Sequence, residues 1–291
     1  MMPDHDLIKL VSIPIRRKRI SVGSHRLAYI EAGSGPPLLL LHGINMGWGQ
    51  WYPNIRSLAE KNTVYALDMP GAGDSTPLSS DHPRFAEELI EAVEGFISRQ
   101  GWVAADVIGH SLGAWVALKV AARGKVPLRR IVAVSPLGFS SKTPSKYRLL
   151  GFRFFAKILA RTALYPSVKH MRQFAISVLK RPDMLDDAFA SYYFDALQRN
   201  KHDHPFLWIN RFAGPFRMRR QFVLAVTEKE KIRLPVQIVV GAHDPLVPLG
   251  EHPARMFALP AGSFSVIPGA GHVAPTEQPD LFHAAVVQFL S

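Results

Sequence analysis

The 291-residue chain contains no cysteine. That excludes disulfides, thiolate metal sites and a cysteine nucleophile. It contains no run of 18 uninterrupted apolar residues, so a spanning helix is not expected. The segment from Met1 to Lys9 lacks the charged-then-apolar layout of a secretory signal. A cytoplasmic protein, peripheral to a membrane at most, is therefore the expectation. Acidic residues are scarce, with 23 Asp and Glu against 35 Lys and Arg. The deficit is local: residues 139–231 hold 18 basic and 7 acidic side chains, and the remainder is close to balanced. A basic field of this kind favours anionic substrates, acidic lipid surfaces or nucleic acid. No recognised nucleic-acid motif accompanies the charge, so nucleic acid is not an expected partner.

What is present is a strand–helix rhythm. Residues 15–32 alternate loosely around Gly23-Ser24 and predict an antiparallel hairpin. Pro37 to Leu41 is short and wholly apolar, as a strand buried on both faces must be. Further short strands are expected at 63–67, 104–108, 131–134, 236–240 and 264–267, with helices at 51–60, 83–99, 112–123 and 279–290. Strands of this length alternating with helices imply a mostly parallel twisted sheet covered on both faces. Residues 139–231 break the rhythm. They read as helical, basic and rich in aromatics, and an amphipathic helix at 149–164 places Arg153, Lys157 and Arg161 four residues apart on one face.

Ligands of open parallel sheets bind beyond the carboxyl ends of the strands. His42, Ser111, Asp244 and His272 follow such ends. Gly109-His110-Ser111-Leu112-Gly113 reads G-x-S-x-G between an apolar strand and a helix. That turn raises a serine hydroxyl above the sheet and needs small neighbours. A serine is a weak nucleophile until an imidazole takes its proton, and the imidazole needs a carboxylate to fix its tautomer. The chain order Ser111, Asp244, His272 is the order this architecture uses. Plainer roles exist: Ser111 fits a helix N-cap, and Asp244 fits a turn before Pro245. Neither explains the two glycines or the ordered acid and histidine loops. Gly33-Ser34-Gly35 is not a nucleotide loop, because a strand follows it. His202-Asp203-His204 lacks a matching ligand set for a metal.

With these motifs the chain resembles the α/β-hydrolase superfamily over nearly its whole length. His42-Gly43 matches the oxyanion-loop dipeptide of that superfamily. Residues 68–75 are similar to its turn after a core strand, Gly241 to Asp244 with Val247-Pro248 to its acid loop, and Gly269 to His272 to its histidine loop. The resemblance implies an α/β-hydrolase fold with core segments 1–138 and 232–291 and an inserted helical cap over 139–231. It implies catalysis by Ser111, Asp244 and His272, with backbone N–H groups of Ile44 and Leu112 as oxyanion donors and no cofactor or metal. His42, Gly43 and His110 flank the expected pocket and are candidates for substrate contact, with structural support as the alternative. The aromatics of the insertion suggest an apolar lining. The implied activity is serine hydrolysis of carboxylic esters of apolar acyl or alcohol groups. Carbon–carbon bond, thioester or lactone hydrolysis, haloperoxidase chemistry and acyl transfer remain open within the fold. A ligand receptor on a hydrolase shell is the alternative from another class. The expected partner is a small ester, apolar or anionic, and the basic insertion admits peripheral contact with an acidic membrane surface.

Overall fold

The computed structural model describes residues 5–79, 81–162, 167–169, 179–199, 204–247 and 258–291. Among them, eight strands form one sheet in the order β1-β2-β4-β3-β5-β6-β7-β8. These are β1 (Ile15–Val22), β2 (His25–Gly33), β3 (Pro37–Leu41), β4 (Thr63–Leu67), β5 (Ala105–His110), β6 (Leu128–Val134), β7 (Val236–Gly241) and β8 (Gly262–Ile267). β1 and β2 are the expected hairpin, β2 pairs antiparallel with β4, and all other pairings are parallel. β5 and β7 are buried along their length, and β3 beyond its first residue, as their largely apolar sequences favour.

Because successive strand residues point to opposite faces, β3 feeds two separate cores. Leu39 and Leu41 join one with α3 (Phe85–Gln100) and α4 (Leu112–Arg123), and Leu38 and Leu40 join the other. That second core includes α1 (His5–Val11), α2 (Tyr52–Leu58) and, later in the chain, the carboxyl-terminal helix at Pro279–Leu290. At the amino end of β5, the buried Asp106 carboxylate is held by Arg129 and Arg130. Arg130 also donates to the backbone carbonyls of Phe289, Leu290 and Ser291, which anchors that final helix to the sheet.

Between β6 and β7 the chain carries α5 (Arg153–Thr162), α6 (Asp187–Arg199), α7 (Pro205–Phe212) and α8 (Val226–Lys231). The helix expected at 149–164 is thus realised as α5, and residues 163–164 lie outside the described residues, as do Pro248, His202 and Asp203. The aromatics of this segment divide. From α6, Phe189, Tyr192 and Tyr193 pack into the core that holds α1 and α2. From α7, Trp208 and Phe212 pack into the core that holds α3 and α4. The segment therefore straddles the carboxyl edge of the sheet. Phe152, Phe154, Phe155 and Phe216 do the opposite of what an apolar lining requires: they stand at the surface. α5 turns only Ala156 fully inward, so its phenylalanines have no interior to enter.

Trp208 pins the segment to the sheet, 1% exposed and edge-on to Phe85 with ring centroids 4.8 Å apart. Trp208→Ala is expected to lower stability by about 3–5 kcal/mol, measured by urea unfolding, and to open residues 139–231 to trypsin before the core.

Candidate active site

Ser111 sits at the apex between β5 and α4 with φ +51° and ψ −108°. A non-glycine residue holds such a conformation only where packing imposes it, at a cost of order 1–3 kcal/mol. The packing is visible. A Cβ on Gly113 would lie 2.4 Å from the Leu41 carbonyl oxygen, and one on Gly109 would lie 2.6 Å from the Gly113 oxygen. Only two glycines let the helix start this close to β3. Asn45 and Ser135, at the ends of neighbouring strands, also have positive φ. Three strand ends thus carry strained backbone around one place.

That place is a cavity of about 360 Å³ lined by Ser111, Leu112, Ile44, His272 and mostly apolar side chains. His272 Nδ1 donates to Asp244 at 2.9 Å (Oδ2) and 3.1 Å (Oδ1). The bond fixes the tautomer and leaves Nε2 as the unprotonated nitrogen. Asp244 Oδ1 also accepts the N–H groups of Leu246 and Val247 at 2.8 and 3.0 Å. Burial alone pushes the Asp244 carboxyl up, but the His272 ring beside it outweighs burial. The carboxyl is held well below the usual carboxylate range, helped by the Leu246 N–H. The Ser135 hydroxyl is buried and makes no close hydrogen bond of its own. Leu112 opens α4, so its N–H is among the first-turn donors that find no acceptor within the helix.

The other expected residues fall in two groups. His110 lines the cavity, but its ring supports the backbone: Nε2 lies 2.9 Å from the His272 carbonyl oxygen, and Nδ1 lies 3.3 Å from Gln50. His42 and Gly43 do not line the cavity. His42 is fully buried, its Nδ1 donates to the Gly43 carbonyl at 2.5 Å, and its Nε2 accepts the Met69 N–H at 2.9 Å. Both ring nitrogens are committed to the main chain, so His42 braces the loop. Gly43 is small because a Cβ there would meet His110 Nδ1 at 2.6 Å. Asp68 fixes the adjoining turns by accepting the N–H groups of Trp48 and Asp74. His204 caps α7 by accepting the Phe206 N–H, and no cluster of metal-ligating side chains occurs among the described residues. In the Arg217 to Arg220 stretch only Met218 reaches the cavity.

Two residues, Tyr147 and Glu277, escaped the sequence reading, whereas Tyr193 is one of the insertion's aromatics expected to line the pocket. Tyr147 and Tyr193 of the inserted segment line the cavity, and burial pushes both phenols up, Tyr147 further under the negative field of Asp244. Glu277, wholly buried, accepts the N–H groups of Gly271 and Val273, which flank His272, both at 3.0 Å. It also accepts those of Lys180 and Arg181 from the inserted segment at 2.6 and 2.9 Å. One carboxylate thereby holds the histidine loop and the insertion together.

The sheet order and the strand–serine–helix turn at its carboxyl edge are the layout of an α/β hydrolase. The chain belongs to that family, whose sequence profile ("Alpha/beta hydrolase family") matches residues 38–285. It is 28% identical over 270 residues to the dihydrolipoyllysine-residue acetyltransferase component of the acetoin cleaving system of Cupriavidus necator, covering 91% of this chain and 66% of that protein. The chain thus spans about two thirds of that relative's length. Its fold is similar to naproxen esterase (carboxylesterase NP) from Bacillus subtilis, with TM-score 0.76, 21% identity, and coverage of 99% of this chain and 96% of that one. It is likewise similar to a membrane phospholipase A described as a bacterial virulence factor, with TM-score 0.77, 22% identity, and coverage of 99% and 91%. At these identities the structures show a shared fold.

Two measurements follow from these contacts. Glu277→Gln turns an amide donor toward backbone donors and is expected to lower stability by about 3 kcal/mol; a loss under about 1 kcal/mol in urea unfolding contradicts the role given to the carboxylate. Burial also lowers His42 to about 4 and His110 to about 3. Between those values and the ordinary histidine pKa near 6.5, the unfolded chain binds more protons than the folded one. Stability is therefore full above about pH 6.5 and falls as the pH drops, by roughly 1–2 kcal/mol per histidine at pH 5. Urea midpoints that stay level from pH 7 to pH 5 contradict this.

Proposed function

We propose that the chain is a serine hydrolase that cleaves carboxylic esters of apolar acyl or alcohol groups. The observation that carries this reading is the Asp244–His272 pair opening onto the same apolar cavity as Ser111 on its strained turn. No hydrogen bond joins the Ser111 hydroxyl to the imidazole, and such contacts commonly tighten only when substrate binds. His272 Nε2 takes the Ser111 proton as Oγ attacks the ester carbonyl. The N–H groups of Leu112 and Ile44 receive the developing oxyanion. The tetrahedral intermediate collapses, the alcohol leaves with the proton from His272, and an acyl-Ser111 ester remains. Water attacks that ester with the same base, which releases the acid and restores the serine. Asp244 stays ionised throughout, as its depressed pKa supports, and stabilises the imidazolium. Residues 139–231 act as a cap on the core formed by 1–138 and 232–291. Its Tyr147 and Tyr193 hydroxyls are the polar groups that orient an otherwise apolar substrate.

A second reading is acyl transfer to an acceptor other than water. The acetyltransferase name of the Cupriavidus relative and the apolar lining that disfavours water support it. Product analysis with an added alcohol separates the two.

A fluorophosphonate probe is expected to label the protein, and Ser111→Ala to abolish both labelling and p-nitrophenyl ester turnover by at least ~10³-fold. Along an acyl series, turnover should rise from acetyl to medium-length chains that fill the apolar cavity. A protein that neither labels nor turns over any ester overturns the proposal and favours a ligand receptor.

A further inference from the structure

The outward face of α5 is divided lengthwise. Arg153, Lys157 and Arg161 repeat every four residues along one strip, and all three are exposed. Phe154 and Ile158 run beside them, with Phe155 next round the helix. Phe154 is 70% exposed, and Phe152, Phe155 and Ile158 are at least 40% exposed. The phenylalanine rings pack edge to face on one another, Phe152 on Phe155 and Phe154 on Phe155. The helix contains no acidic residue. An apolar patch of this kind, left uncovered, marks a surface that binds something.

The basic strip continues into a recess beside α5. Arg153 and Lys157 form one wall, and Arg211, Arg219 and Arg220 complete it. Asp81 is the one acidic residue of the lining, and it pairs with Arg153 at 3.0 Å. Among the described residues Lys157 and Arg220 have no ion-pair partner. Five cations drawn from three separate stretches of chain thus share one pocket with a single carboxylate. That arrangement repels itself unless an anion answers it.

We propose that this face docks on an anionic lipid bilayer, with α5 lying in the plane of the interface. The division of the helix parallel to its axis selects the occupant. In a flat membrane the charge layer and the acyl layer are separated along one line, and α5 presents cations on one side of such a line and aromatics on the other. The long Arg and Lys stems reach headgroup phosphates while the phenylalanines enter the acyl region. The recess holds the phosphate of one headgroup. Docking of this kind is peripheral, in keeping with the finding that no described helix is long and apolar enough to cross a membrane. The inner side of α5 packs on α7, whose Ile209 and Phe212 line the catalytic cavity, so the docked enzyme holds that cavity one helix away from the bilayer. The inference stands apart from the reaction proposed above.

The test is co-sedimentation of the full chain with vesicles of phosphatidylcholine alone and of phosphatidylcholine mixed with phosphatidylglycerol. At least tenfold tighter partitioning to the mixed vesicles is expected, weakening with salt. Lys157→Gln should weaken it about fivefold, the equivalent of the ~1 kcal/mol that one basic residue contributes at an anionic surface. The double substitution Phe154→Ser and Phe155→Ser should release the protein from the vesicles. Thermal unfolding and hydrolysis of a water-soluble ester should be unchanged in both variants, because none of these side chains touches the cavity. Equal partitioning to both vesicle types overturns the proposal, as does anionic binding that survives the phenylalanine substitutions.

Discussion

The Glu277 carboxylate is the point on which the site's geometry rests. It is wholly buried, yet four backbone N–H groups converge on it, two from the His272 loop and two from the inserted segment. A carboxylate so enclosed is stable only while every donor stays in place. The histidine loop and the insertion therefore cannot shift independently. His110 adds a second tether from below, through the His272 carbonyl. The imidazole proposed as the base is thus held from three directions: by Asp244 on the ring, and by Glu277 and His110 on its main chain.

The rest of the cavity follows the same economy of support. Asn45, Ser111 and Ser135 each turn through a left-handed conformation where a strand ends. Each can be strained because the strand beneath it is buried on both faces and does not yield. His42, neutral through burial, ties the Gly43 carbonyl to the Met69 N–H.

Most of the fold was legible because its signals are local. Pro37 to Leu41 is apolar without interruption and Val236 to Val240 is broken only by Gln237, whose side chain bonds Ser265 and the Ala285 carbonyl, which is the pattern of strands covered on both faces. Ser111, Asp244 and His272 each lie in a short loop with its own glycine or proline signature. Glu277 was not legible. It sits in Ala-Pro-Thr-Glu, where an acid in the first turn of a helix is ordinary, and two of its four donors come from Lys180 and Arg181, far away in the chain. Tyr147 was hidden for the same reason, since nothing near it in the chain points to the cavity. The cationic recess was half visible. The spacing of Arg153 and Lys157 and the Arg219-Arg220 pair could each be read, but their convergence with Arg211 is a product of the α5–α7 contact. The surface phenylalanines misled because aromatic content alone does not say which side of a helix faces in.

The splitting of the insertion's aromatics between two cores limits how substrate enters. Swinging residues 139–231 away as one hinged body would strip Phe189 and Tyr192 from one core and Trp208 and Phe212 from the other. At about 1.5–3 kcal/mol per side chain, that approaches the whole stability of an ordinary domain. An open form of that kind would be as rare as the unfolded chain. Entry that leaves both cores intact therefore calls for a local opening rather than a hinged swing of the whole insertion.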